Sequence, residues 1–232
     1  MENNRKSAGS AYQAILFDLD GVICHTDRFH YQAWKAIADR LGVYFDEGIN
    51  NRLRGVSRME SLEIVLEKAE RSFSREEKEA LAAEKNSIYR KLLATMTAAD
   101  LAPSVKETLD ALRGRGLKLA IGSSSKNAAY ILERLGLSGF FDAVSDGNHI
   151  TRSKPDPEVF LLAAEALSVP PTECLVVEDA EAGVAAAHNG GMDSAGIGDA
   201  AHCHLATYSL REFSDLLTII NPAGPKQTGI ET

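Results

Sequence analysis

The chain has 232 residues, enough for one large domain or two small ones, and 44% are hydrophobic, enough for a full core. Its 25 Lys and Arg against 33 Asp and Glu give a net charge of -8, which argues against a nucleic-acid partner held by phosphate neutralisation but leaves room for a small phosphorylated ligand on a local basic cluster. Cys24, Cys174 and Cys203 are far apart with no CxxC, against a disulfide framework or zinc site, and no apolar run reaches signal-peptide or membrane-spanning length, so a reducing, cytoplasmic setting and no membrane partner are expected.

Apolar runs at 14–17, 117–121, 143–144 and 174–177, with a weaker one near 192–197, predict buried strands. Helical spacing separates them. Val105, Leu109 and Leu112 predict a helix over 103–115, and Ile131, Leu132 and Leu135 one over 127–135 with Gly136 at its end. Asp156-Pro157 reads as N-cap and first helical residue of a helix through Leu167. The Ala-rich stretch 180–189 reads as another, ending at Gly190-Gly191. Strands alternating with helices imply an α/β fold, a doubly wound parallel sheet, with ligands at the carboxyl ends of its strands.

Residues 28–96 break this alternation. Phe29, Ala33, Ile37 and Leu41 form one helical stripe, and Leu62, Val65, Leu66 and Ala69 another. Ser74 with Glu77 makes a capping box that opens a long helix towards Leu93. The expectation is a helical cap domain (28–96) inserted into a core domain (1–27 and 97–232), with hinges near 25–28 and 94–98 and flexible tails at 1–10 and 222–232.

Chemistry-bearing residues fall just after the strands. Asp18-Leu19-Asp20-Gly21 ends the first. Two carboxylates about 4 Å apart repel by several kcal/mol at an effective dielectric near 20, so they stay charged together only beside a cation, or they share a proton. A solvated Asp-Gly turn is the plainer alternative. Gly122-Ser123-Ser124-Ser125-Lys126-Asn127 follows the second strand; its small and hydroxyl residues suit an anion, or simply cap a helix. Ser153-Lys154-Pro155 holds Lys154 extended and aims it away from the next helix, where it can neutralise a phosphate and a carboxylate together or remain a surface lysine. Glu178-Asp179 ends the fourth strand and suits a hard cation such as magnesium, with helix capping the alternative for Asp179.

These four motifs, in this order and with the insert in this place, resemble the haloacid dehalogenase superfamily over about 14–220, a Rossmann-like core with a cap. The resemblance implies that Asp18 is a nucleophile forming a phosphoaspartate and that Asp20 is a general acid/base. It implies that Ser123 and Lys154 bind the transferring phosphate. Magnesium would then be held by Asp18, the Asp20 backbone carbonyl, Glu178 and Asp179. An idle binding protein on this fold is disfavoured by the intact set Asp18, Asp20, Lys154 and Asp179.

Within the superfamily, Thr26–Lys35, Arg54–Ser61, Lys85-Asn86 and Ser125-Lys126-Asn127 resemble the beta-phosphoglucomutase group. That resemblance implies a phosphorylated sugar as partner and exchange between beta-glucose 1-phosphate and glucose 6-phosphate through a bisphosphate. It gives Arg58 the phosphate that is not transferred, helped by Ser125, Lys126 and Asn127. Thr26, His30 and Lys85 become groups controlling Asp20 and cap closure; Trp34, Gly55, Val56, Ser57 and Ser61 line the sugar pocket, and Ser124 belongs to the phosphate loop. The plainer readings are a surface arginine opening a helix for Arg58, a partly buried histidine for His30, and a core or interdomain filler for Trp34. His202-Cys203-His204 reads as a surface loop and Cys174 as a small core residue. Arg54 stands where that group usually has lysine and Ser124 where it has alanine, and Cys24-His25 adjoins the hinge. A sugar-phosphate phosphatase, with water as acceptor, is the alternative, and a monomer is expected.

Overall fold

The computed structural model describes residues 12–220, so the expected flexible tails lie outside the described residues. Six parallel strands, β1 (Ala14–Phe17), β2 (Lys118–Gly122), β3 (Ala143–Ser145), β4 (Cys174–Glu178), β5 (Asp193–Gly196) and β6 (Tyr208–Ser209), form one sheet in the order β3-β2-β1-β4-β5-β6. β1 lies at the centre, with Phe17 level with Ile121 of β2 and Val177 of β4. The carboxyl ends of β1, β2 and β4 therefore meet at one edge.

Alternation along the strands builds two cores. Ile15, Phe17, Leu119, Ile121, Leu175 and Val177 share one with helices α5 (Pro103–Gly114) and α6 (Ala128–Arg134). Leu16, Ala120, Cys174 and Val176 share the other with α7 (Glu158–Leu167) and α8 (Glu181–Asn189). Burial of each large apolar side chain contributes ~1.5–3 kcal/mol, which holds the sheet covered on both sides.

Four helices occupy the insert: α1 (Asp27–Leu41), α2 (Glu47–Asn51), α3 (Arg58–Leu66) and α4 (Arg75–Leu93). They enclose a third core around Trp34, Ile37, Leu62, Val65 and Leu81. Phe29 and Ala33 of α1 and Tyr89 and Leu93 of α4 join the sheet core instead, so the insert is anchored at its two attached ends.

Several elements differ from the sequence reading. α3 stops at Leu66, and Ala69 lies beyond it. α7 begins at Glu158, with Pro157 as its cap; Asp156 accepts a bond from the Glu158 N–H, and that local turn delays the helix by a residue. α2, capped by Asp46, and the two-residue β6 were not foreseen. Ser74 and Glu77 do form a capping box, and Ser57 and Glu60 form another that places Arg58 at the first position of α3. No helix among the described residues is long and apolar enough to cross a membrane.

Candidate active site

The acids after β1 enter a turn that brings them against β4. The Asp18 N–H continues the ladder to the Val177 carbonyl at 3.0 Å. Gly21 then turns the chain at φ 89°, and a Cβ on it would lie 2.0 Å from Asp179 Oδ2. Glycine here admits both the backbone conformation and the approach of the two acidic segments.

Lys154 is fully buried between those segments. Its ammonium donates to Asp18 Oδ1 and to Glu178 Oε1, and it lies 4.7 Å from the centre of the Phe160 ring on α7. The sequence reading aimed it away from that helix; the two carboxylates instead draw the side chain inwards over α7. Glu178 spends both oxygens within the protein, since Oε2 accepts the N–H groups of Asp179 and Ala180 at 3.0 and 3.1 Å. It is a support for Lys154 and for the turn after β4.

Asp179 Oδ2 accepts from Arg54 Nη2 of the insert at 2.8 Å. Among the described residues no three His, Cys, Asp or Glu side chains form a ready metal cage. The donor chemistry nevertheless fits a hard cation that keeps some of its water: two buried carboxylates, Asp18 and Asp179, stand beside a glycine turn that carries the Asp20 carbonyl. Their charges are under-compensated. Burial pushes the Asp18 carboxyl up, Lys154 pulls it down, and Glu178, Asp179 and Asp20 push it up again. Burial and Glu178 push Asp179 up to about 7, against Arg54. Lys154 itself stays charged: burial opposes its proton, but Asp18 and Glu178 outweigh that and raise its pKa.

Asp20 faces the insert. Its Oδ1 accepts from the Thr26 hydroxyl, and Thr26 accepts from Tyr89 of α4 at 3.1 Å. Burial pushes the Asp20 carboxyl up to about 6, with the Thr26 bond opposing it. A carboxyl titrating near neutrality is suited to giving and taking a proton. Beside it, Lys85 Nζ and His30 Nδ1 are 2.9 Å apart, and the Lys85 ammonium lies over the Trp34 and Tyr89 rings at 4.9 and 4.5 Å. Burial, then Arg58, lowers Lys85 to about 7; burial, then Lys85 and Arg58, holds His30 well below the usual histidine range. Trp34 is buried in the core of the insert and also reaches the cavity wall.

A cavity of about 940 Å³ joins these groups, walled by Asp18, Asp20, Asp179 and Ser123 from the sheet and by Gly55, Val56, Ser57, Arg58 and Ser61 from the insert. The loop after β2 is wound by its own hydroxyls. Ser123 Oγ accepts from the Ser125 N–H at 3.1 Å, and Ser125 Oγ from the Asn127 N–H at 3.2 Å. The Asn127 amide is held by Asn86 at 2.9 Å and meets Arg90 of α4 at 3.5 Å, while Ser124 Oγ donates to the Gly55 carbonyl at 2.9 Å. Arg58 and Lys126 also line the cavity, and among the described residues neither side chain has a hydrogen bond or ion pair. Burial lowers the pKa of the half-buried Arg58 from its usual value, and the guanidinium remains charged.

Sequence reasoning missed two residues here and named Arg54 without its partners. Tyr89 carries a readable signal, one helical turn beyond Lys85 on α4. Asn50, buried on α2 at the cavity wall with an unpartnered Oδ1, carries none. The contacts of Arg54 depend on residues far along the chain. His202, Cys203 and His204 take no part in the cavity wall.

The site joins a carboxylate and lysine pair, a second carboxyl near neutrality, and unpaired cations across one cavity. That arrangement can hold a phosphorylated molecule with its phosphorus against Asp18. Similar chains are known. A beta-phosphoglucomutase of Bacillus subtilis (strain 168) is 41% identical over 206 residues, covering 88% of this chain and 91% of that protein. A phosphorylated carbohydrates phosphatase of Thermotoga maritima is 33% identical, covering 78% of this chain and 82% of that protein. The crystal structure of a beta-phosphoglucomutase from Clostridium difficile superposes with a TM-score of 0.84 at 38% identity, covering 88% of this chain and 93% of that one. Residues 12–191 match the family of haloacid dehalogenase-like hydrolases, and the chain belongs to that family.

Proposed function

We propose that this chain is a phosphomutase that interconverts beta-glucose 1-phosphate and glucose 6-phosphate. The observation that carries the reading is the pair of uncompensated cations: Arg58 from the insert and Lys126 from the loop after β2 line the same cavity as Asp18, whose own neighbourhood already has Lys154. A substrate with one phosphate needs one cationic site; a bisphosphate needs two. The 41% identity to the Bacillus subtilis mutase supports it.

In this reading Asp18 Oδ2 attacks phosphorus in line, the bond from phosphorus to the sugar oxygen breaks, and Asp20 gives that oxygen its proton. In the return step the free 6-hydroxyl of an incoming beta-glucose 1-phosphate attacks the phosphoaspartate, Asp20 takes its proton, the bond from phosphorus to Asp18 breaks, and the bisphosphate and the Asp18 carboxylate are formed. Lys154 and the Ser123 loop hold the transferring phosphate, and Arg58, Ser125, Lys126 and Asn127 the other. Asp18, Asp179 and the Asp20 carbonyl would hold magnesium, which would supply positive charge to the phosphoryl oxygens. Residues 28–96 act as a cap that excludes water.

A phosphatase is the second reading, favoured by the 33% identity to the carbohydrate phosphatase; water then replaces the sugar hydroxyl. A product assay separates them. With beta-glucose 1-phosphate, a trace of beta-glucose 1,6-bisphosphate and magnesium, glucose 6-phosphate is expected. Free phosphate as the main product would overturn the mutase reading.

A further inference from the structure

We propose that Arg54 and Ser124 form a two-point latch that holds the insert down over the phosphoaspartate and so sets how often water, rather than sugar, receives the phosphoryl group. The proposal rests on the mutase reading for its consequence, but not for its geometry.

Arg54 comes from the segment between α2 and α3, and all three of its ion-pair partners lie outside that segment. Nη2 donates to Asp27 Oδ2 at 2.9 Å and to Asp179 Oδ2 at 2.8 Å; Nη1 donates to Asp199 Oδ2 at 2.6 Å. Asp27 opens α1 beside the hinge, Asp179 follows β4, and Asp199 lies in the turn after β5. One planar guanidinium thus ties the insert to its own hinge and to two sheet loops, using the fork of donors that lysine lacks. The Asp179 carboxylate is buried, which protects that contact from solvent, while Asp199 is 79% exposed and contributes less.

The next residue carries the second point. The Gly55 carbonyl accepts from the Ser124 hydroxyl, so the loop after β2 grips the insert from the other side of the cavity. Gly55 lies close enough over the sheet edge that a Cβ there would stand 3.5 Å from the Ala182 Cβ and 4.0 Å from Lys154 Cδ. Gly55 is therefore held beside Lys154, with Arg54 next to it in the chain, and the segment they begin leads within four residues to Arg58. Neither contact needs a ligand. Arg54 and Ser124 are positioning residues: they touch no reacting atom and act through the placement of the 54–58 segment.

The consequence concerns the phosphoenzyme between turnovers. Water can take the phosphoryl group from Asp18, losing its proton to Asp20, and release inorganic phosphate and the free Asp18 carboxylate. A cap closed by its own contacts suppresses that loss before a sugar arrives.

The test uses the full chain as wild type, Arg54→Ala, Ser124→Ala, the double variant and Arg54→Lys. Ligand-free amide hydrogen exchange is read at residues 54–58, with β4 amides as an internal control for folding. Phosphoenzyme decay is followed after a pulse of beta-glucose 1,6-bisphosphate and removal of sugar. The double variant is expected to exchange faster at 54–58 with β4 unchanged and to lose its phosphoryl group about tenfold faster, with each single change intermediate and Arg54→Lys restoring part of the effect. Unchanged exchange at 54–58 in the double variant overturns the latch. Faster exchange without faster decay overturns its role in partition. Faster exchange in a chain whose wild type yields only free phosphate supports the latch and rejects the mutase reading instead.

Discussion

The two ends of the cavity are built on opposite electrostatic plans. At the sheet end, Lys154 is buried and gives two of its three donors to Asp18 and Glu178. At the insert end, Arg58 is half-buried and uncommitted, with Lys126 facing the same space from the β2 loop. A committed cation fixes the geometry of groups that react; an uncommitted one keeps its attraction for a ligand. In the proposed mechanism the difference separates a place where bonds change from a place where substrate is gripped.

That contrast can be broken at either end. The largest effect is expected for Asp18→Asn, which leaves the fold in place but removes the proposed nucleophile: turnover should fall by about 10⁴-fold or more, with no acid-stable label on the protein after exposure to a labelled sugar bisphosphate. Labelling at another residue would reassign the reacting end. Lys154→Met leaves two buried carboxylates facing each other, and urea unfolding should show a loss of about 3–5 kcal/mol; a loss under about 1 kcal/mol would mean that the committed cation is not structural.

Arg58→Ala sharpens the comparison from the other side. KM for glucose phosphates should rise about 10–100-fold, the scale of one charge-assisted phosphate contact, while hydrolysis of p-nitrophenyl phosphate falls much less. Equal losses would erase the distinction between the ends. The smallest effect concerns Lys85, between them. Its folded pKa of about 7 lies below that of a free lysine, so from about pH 7 to 10 the unfolded chain binds the extra proton and stability should rise with pH, by at most ~1.4 kcal/mol per unit. Lys85→Met should flatten that rise in urea titrations at pH 7, 8 and 9; a parallel rise in both proteins would assign it to another group.

The sheet end was far easier to read from sequence than the insert end. Ala14–Phe17 and Cys174–Glu178 are apolar runs ending on acids, and burial on both faces leaves a buried strand little choice of composition. Five-residue α2 and two-residue β6 are too short for a periodic signal, and packing rather than pattern forms them. Asp18, Asp20 and Lys154 could be named as candidates because their spacing from the strands is local. Their pairing could not: Lys154 meets Asp18 across 136 residues of chain, and Arg54 meets Asp199 across 145. The sequence marked Arg54 and Ser124 only as departures from a resemblance. The structure gives both of them partners across the cavity.

The central place of β1 has a consequence for protein synthesis. β1 leaves the ribosome first, yet its neighbours β2 and β4 are made about a hundred and about a hundred and sixty residues later. In the interval α1 to α4 can gather around their own core by short-range contacts, while Asp18 and Asp20 have no Lys154 to neutralise them and no β4 to hide behind. Activity is thus the last property the nascent chain acquires. A chain that ends between α4 and β4 carries the residues of the insert's core but lacks Glu178 and Asp179, and so has no complete site.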